Sequence, residues 1–204
     1  MAKTIPQLNL PSLPLNDSDL LEGSQDNTAS VKISILELEG KILDGATKVW
    51  TYTTIVSTTS GTSITVTTSI PSDAMEVEVM LNGVSTNTSS QPPVIRLGDA
   101  GGVELTGYTG VVRGPNGESA VTDGFYTFRV NAWNAADIVS GRFRLTRWDP
   151  NLHLWMADGI SNIISKLSTF SGRKTTSQSL TTISLSTPSG VATFDLGSVR
   201  VRYR

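Results

Sequence analysis

From Ser63 to the end of the chain, runs of β-branched and aromatic residues alternate with Gly, Asn and Pro punctuation, which confines this part of the sequence to short strands joined by turns. The last run, Phe194 to Arg204, shows the rule at its clearest. Val199, Val201 and Tyr203 point one way while Ser198, Arg200, Arg202 and Arg204 point the other, the period of two of a half-buried strand. Ser and Thr together make 51 of the 204 residues, and Thr favours strands while Ser favours turns, so the bias fits an all-β chain.

Strands are expected at Trp50–Val56, Ser63–Thr67, Glu76–Leu81, Pro93–Leu97, Gly124–Val130, Gly141–Arg147, Leu152–Met156, Ser179–Leu185 and Val199–Tyr203. The first two read as a pair turning through Thr58 to Gly61. Gly98–Gly102 and Gly114–Gly117 read as glycine turns that re-aim the chain. Eight or so short strands with turns between them, and no fixed-period repeat, predict an antiparallel β-sandwich of the jelly-roll type.

The first 48 residues differ. Pro6, Pro11 and Pro14 forbid a helix and favour an extended arm, yet Leu8, Leu10, Leu13 and Leu15 are too many for a free tail. A hairpin is expected from Asp19–Glu22 and Ser30–Ser34, followed by one or two helical turns over Ile35–Leu43 with Ser34 as N-cap and Glu37 three residues on. Such a piece is too small to bury a core by itself. The chain therefore divides into an arm and anchor, residues 1–48, and a sandwich head, residues 49–204.

Charge and composition exclude several functions. Net charge is −2, which gives no global footprint for nucleic acid or an anionic membrane. Cysteine is absent, so disulfides, thiolate metal sites and cysteine nucleophiles are out. No apolar run reaches the roughly 18 residues of a membrane span, and Met1 to Gln7 lacks a signal-peptide core, so export would need another route such as lysis. The single histidine, His153, lies in a strand pattern without identifiable triad partners. Eighteen acidic residues leave a glycosidase open in principle, but nothing singles out a pair. Gly98–Gly102 is followed by no helix and no Gly-Lys-Ser/Thr, so it is not a phosphate loop. Asp17, Asp19 and Asp123 lack EF-hand spacing. No cofactor or metal is implied.

Surface residues say more. Alternation in Arg142–Trp148 buries Phe143 and Leu145 and turns Arg142, Arg144 and Trp148 outward. After a turn at Asp149-Pro150-Asn151, the same rule buries Leu152, Leu154 and Met156 and turns His153 and Trp155 outward. Outward tryptophans pack on a neighbouring subunit, stack on a sugar, or lie under a loop of their own chain. Trp133, Trp148, His153 and Trp155 are thus the candidate glycan or subunit contacts. Arg200, Arg202 and Arg204 form a second stripe, read either as a solvated, edge-protecting face or as a face for an anionic partner such as a charged polysaccharide.

The string Ile70–Asn87, then Leu97–Glu104 with Gly107–Gly110, a tryptophan at Trp155 and the closing Phe194–Val199, resembles a β-sandwich module of tailed-bacteriophage virion proteins that recurs in tail fibres and adhesion-related tail components. Leu13–Gln25 followed by Ser30–Leu36 resembles the short anchor that opens many phage fibre proteins. The closing Arg202-Tyr203-Arg204 departs from the more acidic or neutral finish of that pattern. The resemblance implies a virion-located structural protein that is no enzyme, binds other virion proteins through residues 1–48, assembles as a homo-oligomer with a trimer favoured, and uses its head on the host surface. Nucleic acid and membrane insertion are not expected. A head-decoration or tail-adaptor protein is the first alternative, and a polysaccharide-degrading tail enzyme the second. A fragment of residues 49–204 is expected to stay soluble and to keep the β-type circular dichroism of the whole chain; an insoluble or unstructured fragment would show that the head needs the first 48 residues.

Overall fold

The computed structural model describes residues 20–25, 29–34, 49–149, 151–164 and 166–204. The chain divides into two units, Met1–Lys48 and Val49–Arg204. In the first, β1 (Leu20–Gln25) and β2 (Ala29–Ser34) form the expected antiparallel hairpin, in register from Leu20 opposite Ser34 to Gln25 opposite Ala29. The proline–leucine arm and the helical turns expected over 35–43 lie outside the described residues.

The second unit begins with β3 (Thr51–Tyr52), β4 (Val56–Ser57), β5 (Ser63–Thr67), β6 (Glu76–Thr86), β7 (Val94–Asp99) and β8 (Gly102–Val103). It continues with β9 (Tyr108–Gly114), β10 (Gly117–Val121), β11 (Phe125–Tyr126), β12 (Val139–Asp149) and β13 (Leu154–Ile163). The last three strands are β14 (Lys166–Thr175), β15 (Thr182–Ser186) and β16 (Phe194–Tyr203). They build two antiparallel sheets. The larger runs β10-β9-β14-β13-β12-β6-β16-β3, with β4 also on β16, and the smaller runs β11-β7-β15-β5, with β8 on β7. The all-β sandwich expected from the sequence is what forms. Its connectivity is set by the β12-β13-β14 meander of the large sheet, and the jelly-roll label is a narrower description than this order.

One core lies between the sheets. Val77, Val79 and Leu81 of β6, Phe143 and Leu145 of β12, and Val199 and Val201 of β16 face Ile95 and Leu97 of β7 and Ile183 and Leu185 of β15. Farther along, Phe125 stands edge-on to Tyr108, with centroids 5.0 Å apart, and tilted against Phe170 at 5.1 Å, an arrangement that suits the ring quadrupoles.

Three departures from the expected strands have local causes. Residues 50–56 and 63–67 do not pair with each other: β4 joins β16 and β5 joins β15. Buried Thr58 makes the difference, donating its N–H to Gly197 O at 3.0 Å and its hydroxyl to Leu196 O at 2.7 Å, so the chain is tied to β16 before it crosses to the other sheet. The strand expected over Gly124–Val130 shrinks to β11, because Thr127 turns back to bond Pro93 O and Val130–Ala132 form a 3-10 turn. The third departure is β14, whose Lys166–Thr175 carries only Leu167 and Phe170 as large apolar residues and so shows no alternation to read.

Register on β13 matters most for function. Arg147 pairs with Trp155, Leu145 with Ala157 and Phe143 with Gly159, so the core face of β13 reads Trp155, Ala157, Gly159. The small residues make room for large ones opposite: a Cβ on Gly159 would meet Phe143 Cδ1 at 2.3 Å. Gly159→Ala is therefore expected to destabilise the fold by about 1–3 kcal/mol through overpacking. Combining it with Phe143→Leu should recover part of that loss, as read from urea midpoints; additive losses would mean that the two side chains do not compete for one space.

Candidate functional site

The structure separates the four expected contact residues. Trp133 is buried, with its indole N–H donating to Thr86 Oγ1 at 2.8 Å and its ring edge-on to Phe128. Trp155 is buried too, 2 % exposed, on the core face just described. Neither ring offers a free face to a sugar or a subunit. The expected outward position of Trp155 is one residue out of phase, because β12 carries a bulge between Arg147 and Asp149 and β13 starts at Leu154 rather than at Leu152. For the same reason Leu152 and Met156, expected inside, are exposed and Leu154 is half-buried. The bulge also leaves Trp148 outside the ladder and 73 % exposed. His153 lies half-buried in the connection between the strands at φ 51°, its carbonyl accepting from Thr176 N–H at 3.2 Å and its Nδ1 without a hydrogen-bond partner among the described residues. Of these three tryptophans, Trp148 alone is exposed.

A more extensive feature is the outer face of the large sheet. The register sets Arg202, Glu78, Arg144, Asp158 and Ser171 in one row across β16, β6, β12, β13 and β14. The neighbouring row is Arg200, Met80, Arg142, Ile160 and Thr169. Glu78 is 1 % exposed, and a carboxylate so covered must be paired. Its partner is Arg202, Nη2 to Oε1 2.8 Å, with Arg142 farther off at 3.8 Å. Glu76 repeats the arrangement one step along the strand, held by Arg204 at 2.8 Å with Arg144 at 3.7 Å.

The terminal arginine stripe is therefore engaged by its own sheet. Arg202 lies over the Trp50 ring at 4.4 Å and donates to Tyr52 OH at 2.9 Å, Arg200 lies over Tyr52 at 4.5 Å, and Arg204 over Trp50 at 4.7 Å. The hydrogen bond to Glu78 raises the affinity of Arg202 for its proton further. Across β16, β6, β12 and β13 this face presents Arg142, Arg144, Arg200, Arg202 and Arg204 against Glu76, Glu78 and Asp158, an excess of positive charge on a chain whose net charge is −2. Between the strands a shallow depression of about 180 Å³ is lined by Arg142, Arg144, Asp158, Gly159 and Ile160. A larger cleft, about 440 Å³, lies among Thr53, Thr54, Val66, Ser69 and Tyr203 and their neighbours; it is uncharged, and its Thr53 hydroxyl is already bonded to Val201 O.

Two polar clusters hold the loops. Asp99 accepts from the Ser177 hydroxyl at 2.5 Å, from Gly101 N–H at 2.8 Å and from Gln178 N–H at 2.8 Å, joining the β7–β8 turn to the segment before β15. These donors, Ser177 first, hold its carboxyl below the usual range against the opposing effect of burial. Lys174 beside them is buried and paired with Glu104, which also accepts Ser177 N–H at 2.6 Å. Tyr108 is pushed to a higher pKa chiefly by burial, so its hydroxyl stays a donor, giving to Glu104 O at 2.9 Å. Every one of these groups already has an internal partner, which makes the cluster a loop clasp. The second cluster surrounds Asp123, which accepts from Arg96 and from Tyr126 OH. Among the described residues, no group of three or more His, Asp or Glu could hold a metal, and no helix is long and apolar enough to cross a membrane. Asp17 and Asp19 lie outside the described residues.

Comparison with protein-family models, with curated proteins and with solved structures finds no match. The fold and the site thus define an all-β sandwich with a basic outer sheet face.

Because the folded carboxyl of Asp99 has a depressed pKa, its stabilising effect is full above the unfolded value near 3.8 and is lost as pH falls through the lower folded value. Asp99→Asn sets an amide NH₂ or a weaker carbonyl against three donors, and is expected to cost about 1–3 kcal/mol at pH 7. The difference from the parent should shrink toward pH 3, measured as urea midpoints across that range; a constant difference would show that the carboxylate charge is not what holds the loops.

Proposed function

We propose that this chain is a fibre-type structural protein of a tailed-bacteriophage virion, whose sandwich unit recognises the host surface and whose residues 1–48 attach it to other virion proteins. The protein works as a homo-oligomer, with a trimer favoured, and it binds without catalysing. The sequence strings that resemble phage virion modules support the virion setting. Recognition is supported by one structural observation above the rest: the outer face of the large sheet concentrates arginines while the chain as a whole is acidic. A local charge of that kind raises the encounter rate with an anionic surface without making the whole protein adhesive. Trp148, outside the ladder beside this face, adds an exposed ring.

Incubating the protein with a panel of bacterial cells and with their isolated surface polysaccharides tests this reading. Binding is expected, with no new reducing ends, and it should weaken as salt shortens the Debye length from about 10 Å at 0.1 M to about 3 Å at 1 M. New reducing ends that vanish when carboxylates are substituted would make the protein an enzyme. Failure to bind any cell, together with a location on the particle away from the tail tip, would make it a decoration or adaptor protein.

A further inference from the structure

We propose that the depression on the outer face between Arg142, Arg144, Asp158 and Ile160 is a subsite for an acidic sugar, a carboxylate-bearing unit of a polysaccharide. This rests on the surface-recognition reading and narrows it to a place and a ligand chemistry. The starting point is how the arginines divide the two carboxylates of β6. Glu78 takes a direct contact of 2.8 Å from Arg202 of β16 and Glu76 one of 2.8 Å from Arg204 just after it, whereas Arg142 and Arg144 of β12 approach them only to 3.8 and 3.7 Å, beyond hydrogen-bond reach. Arg200, Arg202 and Arg204 are further fixed by Trp50 and Tyr52, so the carboxylates are hydrogen-bonded from that side and only flanked at ion-pair distance by the β12 pair. Arg142 and Arg144 remain 62 % and 46 % exposed, with forked donors left for another acceptor.

The partner groups around them suit a sugar. Arg142 and Arg144 are two residues apart on one strand, so both stand on the same face about 7 Å apart, close enough to reach one ligand. A carboxylate takes the guanidinium fork bidentately. Asp158 lies opposite Arg144 in the register but forms no ion pair with it within 4.0 Å among the described residues, which leaves an acceptor for sugar hydroxyls. Ile160, opposite Arg142 and 46 % exposed, gives a ring an apolar face to rest on. The row Arg200, Met80, Arg142, Ile160 then alternates cation and apolar group from strand to strand. Its arginines are two strand spacings apart, about 10 Å, on the scale of a disaccharide. Duplex DNA, whose charges are phosphates and whose apolar bases are stacked inside the helix away from Ile160, is the competing polyanion that the experiment separates.

The probes are polygalacturonate, its carboxyl-reduced form and duplex DNA, each titrated calorimetrically against the full-length protein. Polygalacturonate should bind, and reduction of its carboxyls should weaken binding about tenfold or more, the loss of one charge-assisted bidentate contact. Arg142→Gln with Arg144→Gln should cost about the same factor, while Arg113→Gln with Arg173→Gln, which removes equal charge from β9 and β14 of the same face without touching the lining of the depression, should change affinity less than about threefold. Thermal midpoints of the variants should match the parent, since both β12 arginines are exposed and lie beyond hydrogen-bond reach of the carboxylates. Equal losses in the two double variants, or DNA bound as tightly as polygalacturonate, would reduce the effect to unspecific charge and overturn the subsite. Binding to cells without binding to polygalacturonate would overturn it too while leaving the surface-recognition reading intact, and binding to neither would end both.

Discussion

The register of β6 is the constraint on which the rest of this molecule depends. This strand pairs on one side with β12, more than fifty residues later in the chain, and on the other with β16, more than a hundred residues later. Its alternation is strict where it matters: Val77 and Val79 enter the core while Glu76 and Glu78 leave it. A slip of one residue would push two carboxylates between the sheets and two valines out, a change no compensating contact could offset. Fixing β6 therefore fixes which arginines of its two neighbours meet which carboxylate.

Charge on the outer face follows from that arrangement, and unevenly. Glu76 and Glu78 have arginines on both sides, and in each case the one from the β16 side is in hydrogen-bond contact while the one from β12 is about 1 Å farther off. The β16 arginines win because aromatic rings of residues 50 and 52 lie against them and restrict their rotamers, lowering the entropy each contact costs. What remains unmatched is on β12. The more exposed cations of this sheet are thus the β12 pair, and they border the depression that Gly159 also lines.

Stability and recognition are also divided between places. The loop clasp around Asp99, Glu104, Lys174 and Ser177 contains serine, lysine and carboxylates at short range, a combination that invites a catalytic reading. Each member is saturated by an internal partner, and the cluster joins segments far apart in sequence. The outer face is different on its β12 side, where Arg142 and Arg144 are exposed and reach Glu78 and Glu76 only at 3.8 and 3.7 Å. Polar groups already paired hold a fold together, and those left unpaired at a surface are available to a ligand.

Most strands of the second unit, though not β9 and β10, and the outward direction of Arg142, Arg144, Arg200, Arg202 and Arg204 were legible from the sequence, because a period of two in apolar residues reports one buried face whatever the partner strand is. The same signal misplaced Trp155, since a bulge at Trp148 shifts the phase and leaves no mark in residue type. It could not find β14, whose core side is made of Ser168, Phe170, Gly172 and Lys174, nor could it see that Trp133 turns inward to meet Thr86. Which strands become neighbours was likewise beyond it: pairing is decided by which faces fit together across the core, an interaction between residues a hundred positions apart. Local alternation determined that this chain is a sandwich with arginines outside. Only the tertiary pairing decided which of those arginines are hydrogen-bonded to carboxylates and which stand exposed at longer range.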